Sequence, residues 1–126
     1  MSDAFRNEVT VTLFGKERTM RATFRAIRDI ETDLKLNWLR FAQKMAAGDI
    51  GIGEMAKIIF HGLKGYGDTR SLKTAAPDGL TVEEIGDAII EAGMNEVSTA
   101  VIQFIQIGFH GTKPVGKPEA EAATAS

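Results

Sequence analysis

Residues 8–34 run EVTVTLFGKERTMRATFRAIRDIETDL, and the change of period inside this stretch decides the fold. From Glu8 to Phe14 the side chains alternate, with Val9, Val11 and Leu13 on one face and Thr10, Thr12 and Phe14 on the other. β-Branched residues dominate this stretch, as suits a pleated strand with one buried face. Gly15-Lys16 supplies a turn, and Glu17 to Thr23 alternates again with Met20 and Ala22 on a shared face, so the pair is expected to form a β-hairpin. After Thr23 the period becomes helical. Phe24, Ala26, Ile27, Ile30 and Leu34 fall within one arc at 100° per residue, opposite Arg25, Arg28, Asp29, Thr32 and Asp33. Thr23 is the expected N-cap, and Arg25 and Asp29 have the spacing of an exposed i,i+4 pair. A lone two-stranded hairpin is marginal in water, so these strands must lie on helices or on a neighbour's strand.

The remainder of the chain predicts four further helices. The second is expected over Trp38–Ala47, capped by Asn37 and stopped by Gly48. The third is expected over Gly53–Leu63, weakened at its end by Gly62 and Gly65, with a long loop over 64–80. The fourth follows Thr81, where T-x-x-E is a capping box and Leu80 and Ile85 stand at the positions of a hydrophobic staple. Gly93 ends it, and Asn95 is the expected cap of a fifth helix over Glu96–Phe109. The fold class is therefore α+β: an N-terminal hairpin packed on about five helices, in a single domain over 1–110. Residues 111–126, rich in Pro, Ala and Glu, carry no core-forming pattern and are expected to form a flexible tail. The expected core includes Val11, Leu13, Phe24, Ile27, Ile30, Leu34, Trp38, Phe41, Ile58, Ile59, Ile85, Ile89, Val101, Phe104 and Ile105.

Composition narrows the function. The chain of 126 residues has no cysteine and two histidines, which excludes thiolate metal sites and cysteine nucleophiles and leaves little for an acid–base relay. A net charge of −2 disfavours nucleic acid as a partner. The longest uncharged run, Val97 to Thr112, is 16 residues, short of the about 20 needed to span a bilayer. With no secretory signal at the N-terminus, the chain is expected to be cytosolic. Charge is uneven, from +3 over residues 1–28 to −6 over 78–126, which suits docking of the C-terminal half on a basic partner or another copy.

Motifs for chemistry do not hold up. Gly51-Ile52-Gly53-Glu54-Met55-Ala56 spells G-x-G-x-x-A, but a helix rather than a strand precedes it, so it is expected to be an inter-helix turn. Asp29, Glu31 and Asp33 alternate like calcium-loop ligands, but Leu34 stands where glycine is needed. Glu83, Glu84, Asp87 and Glu91 are accounted for by the favourable end of a helix dipole. His61, beside Ile58, Ile59 and Leu63, reads as a half-buried structural residue, and His110 falls beyond the fifth helix. No catalytic, metal or cofactor site is expected, and the protein is read as a non-enzyme.

What remains is apolar surface. The fifth helix spreads its apolar residues over roughly 220° of arc, where a surface helix needs about 100°. Thr99, Gln103 and Gln106 form its polar, uncharged stripe. Val97, Ala100, Val101 and Phe104 are assigned to the core. Ile102 and Phe109 lie furthest from that centre and are the candidate partner-binding residues.

The run from Glu8 to Leu34 resembles a family of small tail proteins from bacterial gene transfer agents and related long-tailed phages. Gly15 and Lys16 match its hairpin turn, and Thr23, Phe24, Ala26, Ile27, Ile30 and Glu31 match its T-F-x-A-I-x-x-I-E helix. Downstream, Gly48-Asp49-Ile50, the apolar helix ending IIFHGL, TVEEIGDAI and a last apolar helix follow in the family's order, so the resemblance covers about 7–110. It implies a tail assembly chaperone that binds the tape-measure protein during tail assembly, acts in the cytoplasm and forms a homo-oligomer, with the tail tube protein as a further partner. The same family is also labelled as tail tube protein. The alternative it implies is a structural, tube-associated subunit kept in the particle.

Overall fold

The structure, a computed structural model, describes residues 7–69 and 80–111. An N-terminal hairpin, β1 (Glu8–Leu13) and β2 (Lys16–Arg21), is followed by α1 (Phe24–Leu34), α2 (Trp38–Ala46), α3 (Ile52–Thr69), α4 (Val82–Ala92) and α5 (Met94–His110). This is the α+β architecture expected from the sequence.

The strands pair antiparallel in an unbroken register from Glu8 opposite Arg21 to Leu13 opposite Lys16. The turn is Phe14-Gly15 rather than Gly15-Lys16. Both turn residues have positive φ, 53° and 70°, the two-residue geometry whose twist matches that of the strands. Gly15 takes its φ without steric cost, and Phe14 leaves its side chain in solvent. Val9, Val11, Leu13 and Met20 form the buried face of the hairpin.

α3 lies along β2, α5 and α4 lie under β1, and α3 and α5 pack against each other beneath the hairpin. α1 packs on α3, and α2 packs on α5. One hydrophobic core draws residues from all seven elements, including Leu13, Met20, Ile30, Phe41, Ile59, Ile85 and Phe104.

Caps explain most boundaries. Thr23 Oγ1 accepts from Ala26 N at 3.0 Å and Asn37 Oδ1 accepts from Arg40 N at 2.8 Å, starting α1 and α2. Thr81 and Glu84 complete the capping box of α4, at 2.9 Å from Thr81 N to Glu84 Oε1 and 3.1 Å from Glu84 N to Thr81 Oγ1.

Three expectations are corrected. α3 continues to Thr69, past Leu63, so Gly62 and Gly65 lie within the helix rather than ending it. A Cβ at Gly65 would stand 2.5 Å from the carbonyl oxygen of Arg21, and one at Gly62 would stand 2.9 Å from Met20 Cβ. These glycines let the helix press against β2. Residues 64–69 of the expected loop are therefore helical, and residues 70–79 lie outside the described residues, as does the tail assigned to 111–126 beyond Gly111. Second, Asn95 does not cap α5. Gly93 N bonds Ile89 O at 2.7 Å to close α4, and Gly93 O accepts from Val97 N at 3.3 Å to open α5, so one residue serves both helices. α5 then runs one residue further than expected, to His110. Third, Phe24 is 79% exposed, at the outer end of α1, with the Arg28 guanidinium 5.8 Å from its ring centroid. The other members of the expected core are buried or, as with Ile27 and Leu34, packed half-buried against it.

Candidate functional site

The site begins with Trp38 in the first turn of α2. Its indole N–H, buried, donates to Ile105 O at 3.2 Å. Its ring meets Phe41 at 5.6 Å and Phe104 at 6.2 Å between centroids. Gly108 faces the indole with no room for a Cβ. These contacts fix α2 alongside α5, and the outer surfaces of the two helices then form a groove of about 410 Å³. Ala42, Met45 and Ala46 line it from α2, and Ile102, Ile105, Gln106 and Phe109 line it from α5.

Both candidate residues stand on this groove. Ile102 is 38% and Phe109 49% exposed, while Ile105 between them is 2% exposed and forms the floor. Val97, Ala100, Val101 and Phe104, assigned to the core, are buried. Nothing local in the sequence joins Met45 and Ala46 of α2 to Ile102 and Phe109 of α5. The signal that pairs the two helices is the contact of Trp38 with Gly108, seventy positions apart, which no local period records.

A groove with one polar side chain and six apolar ones suits an apolar ridge of another protein. It offers no general base and no nucleophile. Exposed apolar surface of this kind is of the sort that protein contacts use.

Several of the residues weighed for chemistry are engaged structurally. The three acidic residues of α1 diverge. Asp29 pairs with Arg28 at 3.2 Å, Glu31 accepts from Trp38 N at 2.7 Å, and Asp33 reaches across to α3. Asp33 Oδ2 lies 3.0 Å from His61 Nε2 and Oδ1 lies 3.6 Å from Lys57 Nζ. The hydrogen bond from His61, with the Lys57 charge, holds the Asp33 carboxyl below its ordinary range against the opposing effect of desolvation. This cluster ties α1 to α3. Glu54 Oε1 accepts from Gly51 N at 2.9 Å, so the G-x-G stretch is a helix entry. Among the described residues no group of three or more His, Asp or Glu could hold a metal ion, and no helix is long and apolar enough to cross a membrane.

Residues 6–111, most of the chain, match the family described as phage tail tube protein, GTA-gp10. No curated protein and no solved structure matches the chain. The family's description fits a structural tail subunit better than an assembly chaperone.

Proposed function

We propose that this chain, which belongs to the phage tail tube protein family GTA-gp10, is a structural subunit of a gene transfer agent or phage tail. It works without catalysis, by seating an apolar ridge of a neighbouring tail protein in the α2–α5 groove. The observation that carries this reading is the groove itself: Ile102 and Phe109 exposed on either side of buried Ile105, held open by the Trp38 lock. Exposing that much apolar side chain in water is unfavourable at about 25 cal/mol per Å², and a covering neighbour removes the cost.

A second reading is supported by the shape of the groove. It runs between two helices, as does a site for a single amphipathic helix with anchors at i and i+4. A tail assembly chaperone that holds the tape-measure protein would use it in this way and leave before the particle is complete.

Quantitative mass spectrometry of purified particles separates the two. A structural subunit is present in fixed stoichiometry with the tail proteins, and Ile102→Glu and Phe109→Glu chains fail to be incorporated. Absence from the particle, with tails still lost in the Ile102→Glu background, would favour the chaperone. Normal tails in both variants would remove the groove from either role.

A further inference from the structure

Phe24 and Ile90 are the two most exposed large apolar side chains among the described residues. They stand at opposite ends of α3. Phe24 follows Thr23, whose Oγ1 lies 3.3 Å from where a Cβ at Gly65 would be. Ile90 lines a groove of about 520 Å³ with Ile52, Gly53 and Ala56 of α3 and Val82 of α4. Gly53 and Gly65 are twelve residues apart on α3, which is about 18 Å of helix. A chain therefore cannot seat its own Phe24 in its own groove.

The two surfaces match in shape and in charge. Phe24 projects as a knob, with the Arg28 guanidinium 5.8 Å from its ring centroid and exposed Arg25 next to it. Asp29, beside them, is paired with Arg28 at 3.2 Å, and residues 24–29 carry one excess positive charge. In the groove a Cβ at Gly53 or Gly86 would meet nothing within 4 Å, so the space between the apolar walls is open. A cavity of about 150 Å³ already takes a benzene ring. The charged residues that line the groove are Glu83 and Asp87, both exposed and neither paired among the described residues. Lys57, next to Ala56, is held by Asp33 of α1 at 3.6 Å.

We propose that the α3–α4 groove receives Phe24 of a second copy of this chain, with Arg25 and Arg28 of that copy set against Glu83 and Asp87. The occupant is a second copy because the chain itself carries the complement: an aromatic knob flanked by cations for an apolar groove flanked by carboxylates. Opposite charges at the rim steer the encounter and fix its register. Knob and groove lie on different surfaces, so the contact is head-to-tail, and its repetition builds a closed ring or a filament. It lies apart from the α2–α5 groove, and the inference does not rest on the proposed function.

Sedimentation velocity of the full chain from micromolar to millimolar concentration tests the contact. The wild type should form species larger than a dimer as concentration rises, and fewer of them as salt is added. Phe24→Ala removes the knob and Gly86→Gln fills the groove, and each alone should weaken association by about tenfold or more. Mixed in equal amounts, the two variants should form a dimer and nothing larger, because one keeps the groove and the other keeps the knob. If Gly86→Gln fails to fold, Asp87→Lys takes its place. Ile102→Glu should leave the association unchanged, which keeps a failure here distinct from a failure of the α2–α5 reading. Association that survives both variants, a mixture that forms no dimer, or a wild type that stops at a dimer overturns the proposal. So does a wild type that stays monomeric at millimolar concentration, which would leave the groove to a partner of another sequence.

Discussion

Gly108 of α5 stands so close to the indole of Trp38 on α2 that a Cβ at position 108 would overlap Nε1 and lie 2.9 Å from Cε2 and from Ile27 Cδ1. One tryptophan thereby sets the spacing of the two helices whose outer faces make the groove. Alanine at 108 gains up to about 1 kcal/mol of helix propensity, but its methyl meets a rigid ring, and overpacking of this kind costs about 1–3 kcal/mol. The lost bond from the indole to Ile105 O adds to that. Gly108→Ala is expected to lower the urea midpoint and to shift the emission of Trp38, the sole tryptophan, to the red as it gains water. Unchanged emission with an unchanged midpoint would show that the helices slide apart without penalty.

A similar comparison tests how α3 meets the hairpin. Gly65→Ala places its methyl 2.5 Å from a backbone oxygen, which cannot turn away, whereas Gly62→Ala meets the side chain of Met20 at 2.9 Å. Both changes gain the same helix propensity, so their difference reports the contact alone. Gly65→Ala is expected to be the more destabilising, by about 1 kcal/mol or more. Equal urea midpoints would mean that β2 moves as readily as a side chain.

The tie between α1 and α3 has a pH signature. His61 and Lys57 lower the Asp33 carboxyl below its ordinary value of 3.8. A group with a depressed folded value stabilises the fold fully above the unfolded value and loses that contribution as pH falls through the folded one. Asp33→Asn should therefore be less stable than wild type at neutral pH. The gap in urea midpoint should close as pH falls below 3.8. A gap that stays constant down to acid unfolding would show that Asp33 acts through shape rather than charge.

What could be seen in the sequence was local. Alternation in β1, the caps Thr23, Asn37 and Thr81, and the stop at Gly93 are each written in residues a few positions apart, and each lies where it was expected. The outward position of Ile102 and Phe109 was visible too, because α5 carries more apolar arc than one core face can use. The misassigned features depend on distant parts of the chain. Gly62 and Gly65 look like helix breakers until β2 is known to lie against them. Phe24 shares an arc with Ile30, yet an arc does not say where along its axis a helix leaves the core. The α2 side of the groove was hidden for the same reason, since only the tertiary contact of Trp38 with Gly108 brings it to Ile102.

The exposure of Phe24 changes an energetic expectation. A phenylalanine in the core is worth about 3–5 kcal/mol on truncation to alanine, and that figure belongs to Phe41, fully buried against Trp38. Phe24→Ala, losing a ring already in solvent and a weak contact with Arg28, should cost under about 1 kcal/mol. Urea unfolding of the two variants side by side checks this. A large loss for Phe24→Ala in the isolated protein would point to a packed position for the ring.

The last prediction separates the two sides of α5. Ile102 and Ile105 are three residues apart and line the same groove, but one is 38% and the other 2% exposed. A glutamate at 102 can keep its carboxylate hydrated at the rim. At 105 it would be driven into the buried floor of the groove, where an unpaired charge costs several kcal/mol. Ile102→Glu should thus melt within about 0.5 kcal/mol of wild type and retain its helical circular dichroism, while Ile105→Glu should unfold or precipitate. If Ile102→Glu also unfolds, α5 has one continuous buried face and the groove is part of the core. If it folds and the neighbouring tail protein still binds, the contact lies elsewhere on the chain.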